Sequence, residues 1–446
     1  MRAGFALLAA VLAGCAAAPP GEGGWKAGTG RAAITPAEPV MMYGYGARNK
    51  PSEGVAAELW ARALALEDAS GARAVVVTAD IGEFDSAQSA RLKDEIRRVH
   101  GLGEDRVLLV GSHTHSGPQL DEKTYYPAFF RERVLRAVAD ALGGLRPATL
   151  YFGRGEVRFG ANRRVKRPDG TWWFGHNPEG PSDPDLPLMK VESEGALRAL
   201  LFTYACHCTS VRNRYEGFYL IHPDWARCAE FLERERPGAQ AMFVTGCGAD
   251  IDPQPLGGID VAERHARTMA DAIGKAADSV AFRPVEGPLR TRHRRVRLPV
   301  EKPSREAYAA QVETARGPDQ DFARKMLREI DAGTARSWAD VPVAVWRFGG
   351  GLALVAFGGE TCVDYALRLK REVGAEGLWV AGYSNEVGFY VPSDRVLAEG
   401  GYEAGWNPKV GRGAAAWQMA WAGFPAPFAP GIEDRMIGAA REMLRE

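Results

Sequence analysis

The sequence predicts an α/β fold: one large domain with a mixed β-sheet and flanking helices. Two observations predict it. Apolar runs of strand length alternate with longer segments whose apolar residues recur at helical spacing, and no internal repeat divides the chain. A length of 446 residues and a hydrophobic content of 46% are enough to bury a large core. Lys and Arg together number 56, and so do Asp and Glu, so no net field attracts nucleic acid and none is expected as a partner.

The chain opens with Met1-Arg2 and a short apolar stretch that ends at Leu12-Ala13-Gly14-Cys15. The stretch is too short to span a membrane and reads as a signal peptide over 1–14. Leu-Ala-Gly-Cys resembles the bacterial lipobox, which implies cleavage before Cys15, lipid attachment to Cys15 and a flexible tether over 15–24, rich in Ala, Pro and Gly. The competing reading is an ordinary secretory signal with an incidental cysteine. On either reading the mature chain is extracytoplasmic, and Ala16 in place of an aspartate points to the outer membrane if the host has one.

Strands are expected over 74–79, 107–111, 148–152, 186–191, 199–205, 241–245, 343–348, 352–357 and 378–382, each a short apolar run bounded by turn formers. Helical periodicity predicts helices over 87–99, 130–142, 224–234, 261–279, 304–330 and 363–373, with a terminal helix over 435–445. The segment 162–187 holds many Gly, Pro and Asp residues together with Trp172, Trp173 and Phe174, and is expected as a long loop at a pocket rim. Arg290, Arg292, Arg294, Arg295 and Arg297 alternate mostly at period two, which suits a solvated strand face better than a phosphate track.

The apolar run 107–111 leads into Ser112-His113-Thr114-His115-Ser116-Gly117-Pro118. In extended backbone, residues two apart project to the same side, so His113 and His115 are expected to face one ion or one substrate at a strand end. A pair of hydrogen-bonded loop histidines is the alternative. Besides Cys15 there are Cys206, Cys208, Cys228, Cys247 and Cys362, an odd number that leaves at least one free thiol and does not resemble a disulfide framework. Cys206 and Cys208 flank His207 and, in a strand, would face away from it as small core residues.

The segment His113-Thr114-His115-Ser116-Gly117-Pro118 resembles the histidine motif of the neutral/alkaline ceramidase family, zinc-dependent amidases that cleave the N-acyl bond of ceramide. Other landmarks stand in the family's order: Gly30-Arg31-Ala32-Ala33-Ile34-Thr35-Pro36, Asn162-Arg163-Arg164, Ala205-Cys206-His207-Cys208-Thr209, Gly358-Gly359-Glu360 and the segment from Tyr383 to Tyr390. The resemblance implies a catalytic domain over 25–446 in which Zn²⁺ is held by His113, His207, Glu360 and Tyr390. It also implies a substrate-contacting region at Arg163 and Arg164, while His115 is the expected neighbouring acid or hydrogen-bond donor. Asp80 is expected to be structural, and His222-Pro223-Asp224 a loop and helix cap rather than ligands.

The chain departs from the family pattern in three places. Asp252 stands where family members carry a serine before proline; it cannot supply the same hydroxyl, but a carboxylate can accept a proton, so Asp252 is expected as a general base. Gln119-Leu120 replaces a glycine pair, and the immunoglobulin-like domain that usually follows is not expected. The expected function is zinc-dependent hydrolysis of a linear N-acyl amide by a lipid-anchored enzyme, on a small amphipathic or acyl-amide substrate that need not be ceramide. The alternatives are an esterase or another amidase with the same ion, and a non-catalytic binding lipoprotein.

Overall fold

The computed structural model describes residues 24–407, 411–412, 418–420 and 422–446. The expected signal peptide, Cys15 and most of the expected tether lie outside the described residues. Eight strands of the principal sheet run in the order Gln240–Thr245, Ala196–Tyr204, Asp185–Ser193, Arg146–Glu156, Trp25–Ala33, Trp60–Glu67, Arg73–Ala79, Val107–Gly111, and Arg283–Val285 adds beside Arg146–Glu156. The pair at each end of this order is parallel and the pairs between are antiparallel, which is the mixed sheet that the α/β reading expects.

Every residue of Val107–Gly111 is buried, so the sequence there is a continuous apolar run rather than an alternation. Its parallel neighbour Arg73–Ala79 connects to it through helix Ser86–His100. The Asp85 side chain caps that helix on the N–H of Gln88, and Gly101 ends it at φ 71°. Trp25–Ala33 and Trp60–Glu67, absent from the sequence reading, fill the centre of the sheet. Their small residues give little hydrophobic signal, and one of them is small for a steric reason. Helix Tyr126–Gly143 crosses so closely that a Cβ on Gly30 would lie 2.1 Å from the carbonyl oxygen of Ala137.

A second sheet holds Arg290–Pro299, Trp338–Phe348, Leu352–Phe357 and Leu378–Ala381. One buried apolar cluster draws Leu108 and Val110 from the first sheet and Trp346, Leu354 and Trp379 from the second, so both sheets build a common core. The arginine-rich strand has the solvated face its alternation suggests: Arg292, Arg294, Arg295 and Arg297 pair with Glu446, Glu442, Glu386 and Asp340.

Two expected elements are corrected. The helix over 304–330 is two helices, Arg305–Thr314 and Pro318–Asp331, because Gly317 at φ 60° breaks the first and Pro318, without an N–H, opens the second. The loop over 162–187 contains a hairpin of Gly160–Lys166 and Trp172–Asn177, with Ile251–Pro253 as a third strand. This small sheet carries Arg163, Phe174 and Asp252 to one place.

Candidate metal centre

The site collects where several strands stop. His113 follows Val107–Gly111, and His207 follows Ala196–Tyr204. Glu360 comes after Leu352–Phe357 and the Gly358-Gly359 turn, and pairs in parallel register with Tyr390. The expectation that extended alternation aligns His113 and His115 is overturned: the strand has ended, and His113 sits at φ 60° in the left-handed region. The rings converge all the same, with Nε2 of His115 3.2 Å from Nε2 of His113. One ring nitrogen from each of His113, His115 and His207 lies within 4.8 Å of the others.

Hydrogen bonding fixes which nitrogens face the centre. His113 Nδ1 lies 2.8 Å from the carbonyl oxygen of Gly82, and His207 Nδ1 lies 2.7 Å from that of Gly248. A carbonyl only accepts, so both Nδ1 atoms carry the hydrogen and both Nε2 atoms present lone pairs. Glu360 Oε2 faces those lone pairs at 3.3 Å and 3.4 Å, while Gln418 donates to Glu360 Oε1 at 2.7 Å. Nε2 of His207 and Oε2 of Glu360 are buried with no hydrogen-bond partner. Burial lowers the His207 pKa to about 4, so that ring is neutral near pH 7. A carboxylate set against imidazole lone pairs is a repulsive arrangement unless a cation lies between them, and buried atoms left without partners have the same requirement. The donor set of imidazole nitrogens and a carboxylate suits a divalent metal ion.

Residues 25–246 match the family model for neutral/alkaline non-lysosomal ceramidase, N-terminal. Through this segment the chain belongs to the neutral/alkaline ceramidase family. The neutral ceramidase of Pseudomonas aeruginosa is 31% identical over 227 residues, which cover 45% of this chain and 32% of that protein. Neutral ceramidase A of Dictyostelium discoideum is 26% identical over 250 residues, 50% of this chain and 34% of that one. The matched region thus spans only about a third of the length of these curated relatives. The crystal structure of the Pseudomonas aeruginosa neutral ceramidase shares the fold, with a TM-score of 0.71 at 21% identity over 94% of this chain and 74% of that one.

The position that departs from the ceramidase pattern is tightly held. Asp252 Oδ1 accepts from Arg163 Nη1 at 3.1 Å and from Thr209 Oγ1 at 3.1 Å, and Oδ2 accepts from Arg212. Burial would raise its pKa, but Arg212 and Arg163 together bring it below the ordinary carboxylate value. Such a carboxylate is a weak base with no free oxygen, which tells against the general-base role expected for Asp252. The expected substrate contacts are also internal. Arg163 binds Glu403, Asp252 and the Tyr390 oxygen, and Arg164 binds Glu399, Glu403 and the carbonyl of Gly400, so both side chains are buried in ion pairs.

Tyr390 therefore accepts a hydrogen bond from Arg163 at 2.9 Å, and burial followed by the Glu360 charge holds its hydroxyl well above the ordinary range. Several neighbours were not foreseen. The ring of Tyr383 packs 4.6 Å from His113, and its buried hydroxyl has no partner. Tyr43 and Tyr45 set their rings against His115, at 5.5 Å and 5.0 Å. Arg48 donates to the carbonyls of Tyr43, His115 and Phe218 and so ties this loop down. Gly44, between the two tyrosines, was the one sequence signal: its φ is 96°, and a Cβ there would meet His115 Cγ at 2.3 Å.

Asp80 accepts from the Trp60 N–H and Arg62, the structural role expected of it. His222 pairs with Glu263, but the helix cap expected at Asp224 is not formed: Pro223 stands at the N-cap of the short helix Asp224–Arg227 with no side-chain cap, and the Asp224 carboxylate accepts from the N–H groups of Ser210, Val211 and Trp225. Cys206, Cys208, Cys228, Cys247 and Cys362 are all buried free thiols. Phe174, from the expected rim, lies beneath the guanidinium groups of Arg163 and Arg212 and against Tyr402.

Proposed function

We propose that this protein is a zinc-dependent hydrolase of linear N-acyl amides, held outside the cytoplasm by a lipid on Cys15. The observation that carries the reading is the convergence of His113 Nε2 and the unpartnered His207 Nε2 on the unpartnered Oε2 of Glu360. His113, His207 and Glu360 would hold the ion, with the Tyr390 oxygen as the fourth donor. Zinc, when bound, supplies a Lewis acid that polarises a carbonyl and lowers the pKa of water to about 7.

The chain's own residues do the rest. Water adds its oxygen to the acyl carbon, the C–N bond breaks, and the products are a carboxylate and an amine that takes up a proton. His115 is placed for the proton traffic. It borders the ligand nitrogens, it is partly exposed, and burial and then His113 and His207 push its pKa well below the ordinary value, so it meets the water as a neutral acceptor. Its Nδ1 makes no hydrogen bond and is free to pass a proton on. Tyr383, whose phenol has an unused hydrogen beside His113, can donate to the oxygen that gains charge during attack. Asp252 anchors Arg163 and Arg212 rather than serving as the base.

An ester presents the same acyl carbon with a better leaving group, so the first test is a screen of protein, with and without zinc, against ceramides, N-acyl amino acids and esters. Zinc-dependent release of a fatty acid from an amide is expected. Cleavage of esters alone would make the protein an esterase, and binding without cleavage would make it a binding lipoprotein. No helix among the described residues is long and apolar enough to cross a membrane. The proposed attachment therefore rests on Cys15, and labelled fatty acid should enter the full-length protein but not the Cys15→Ser variant.

A further inference from the structure

Arg212 is a guanidinium at the mouth of the site with most of its hydrogen-bonding capacity unused. Its side chain is 19% exposed, and among the described residues its only carboxylate partner is Asp252, reached through Nη2. Nε is buried without a partner, and Nη1 makes no hydrogen bond. The group lies between two aromatic faces, 5.1 Å from the Phe174 centroid and 5.7 Å from that of Tyr45. Tyr45 in turn sets its ring 5.0 Å from His115, so this cation stands one aromatic ring away from the histidine cluster.

Near the mouth, Asp252 is the carboxylate that Arg212 shares with Arg163, and Arg163 holds Glu403 as well. On the other side of Tyr45, the Arg48 guanidinium lies 4.9 Å from the ring and binds only carbonyl oxygens. Its donors are spent, but its charge is not matched by an acid and adds to the field over His115. An uncharged amino-diol offers this surface only neutral hydroxyl acceptors. A carboxylate on the carbon next to the amide nitrogen offers more, because guanidinium donors pair with carboxylate oxygens through short, charge-assisted bonds.

Resting on the amidase reading of the site, we infer that Arg212 selects substrates whose amine portion carries a carboxylate, that is, N-acyl amino acids, over neutral N-acyl amines. The acyl carbon then sits at the histidine cluster and the carboxylate at the free edge of Arg212, with Tyr45 and Phe174 keeping the guanidinium in place. Asp252 prevents Arg212 from turning away and leaves one side of it open. Arg212 is thus a specificity residue, and the aspartate at 252 is its holder.

The test uses the zinc-loaded full chain with N-lauroylglycine and N-lauroylethanolamine, which share an acyl chain and differ in the carboxylate. Binding is read by thermal shift and turnover by amine release. The acid should bind more tightly and show a kcat/KM about 10- to 100-fold higher, the range that one charge-assisted contact supplies. Arg212→Gln should bring the two substrates to within about twofold of each other, chiefly by raising KM for the acid, and Arg212→Lys should keep part of the preference. Should the Gln variant fail to fold, the Lys variant and the wild-type ratio still decide. Equal or reversed preference in the wild type, or a Gln variant that weakens both substrates alike, overturns the inference. Preferential, Arg212-dependent binding of the acid with no cleavage of either amide would uphold the selectivity and refute the amidase reading.

Discussion

Replacing Asp252 by asparagine separates a structural carboxylate from a catalytic one. Asparagine keeps the shape and one acceptor oxygen but turns the other into a donor, which must then face Arg163 or Arg212. Both are guanidinium groups, and the Asp252 and Arg163 side chains are 1% and 3% exposed, so water cannot replace what is lost. Breaking a buried pair by removing one partner costs about 3–5 kcal/mol. Asp252→Asn should therefore lower the melting temperature by several degrees, and zinc content should hold because the ligand nitrogens are anchored separately to Gly82 and Gly248. Adding Arg212→Gln to Asp252→Asn removes one stranded charge and should recover part of the lost stability, a coupling that a double-mutant cycle measures. The assay is thermal unfolding beside kcat on the best amide found. An Asp252→Asn protein as stable as wild type, with kcat down by about 10²–10⁴-fold, would instead make Asp252 the base and refute the clamp.

Three further outcomes are expected. Gly44→Ala puts a methyl group 2.3 Å from His115 Cγ and should cost about 10²-fold in kcat while zinc stays near one per chain; full activity would remove His115 from the chemistry. Burial pushes the Asp80 carboxyl up to about 6 against the pull of Arg62, so the folded state keeps a proton that the unfolded chain releases at lower pH. Stability from this group is then lost as pH rises from its ordinary value of 3.8 toward about 6, and Asp80→Asn should remove that decline, worth about 3 kcal/mol across the window; parallel pH curves for the two proteins would refute it. Glu360→Gln leaves an amide facing the His113 and His207 nitrogens and should reduce zinc retention on dialysis by tenfold or more, whereas unchanged retention would place the ion elsewhere.

How much of this was legible in the sequence depended on how local the signal was. Val107–Gly111 is read to the residue, because a strand buried on both faces must be apolar throughout. The arginines of Arg290–Pro299 announce a strand because one face meets solvent. Trp25–Ala33 escapes, since its small residues at Gly28 and Gly30 answer to the nearby helix rather than to sheet patterning. The hairpin of Gly160–Lys166 and Trp172–Asn177 escapes for a related reason: its side chains serve ion pairs and aromatic stacking, so no hydrophobic period marks it. At the site, the family pattern names His113, His207 and Glu360, and the structure brings them together. It cannot give the left-handed turn at His113, nor show that Asp252 meets Arg163, 89 positions away in sequence, and is thereby spent. Tyr383 and Arg212 stand out only once their unpartnered atoms are seen in three dimensions.

The central claim is tested most directly by counting zinc in the protein purified without chelators and following amide cleavage as the ion is removed and restored. About one zinc per chain is expected, with cleavage lost on chelation and regained on zinc addition, and neither property in the His113→Ala, His207→Ala double variant. Near-stoichiometric zinc in that double variant, or undiminished amide cleavage by the stripped protein, would contradict a zinc centre at His113, His207 and Glu360.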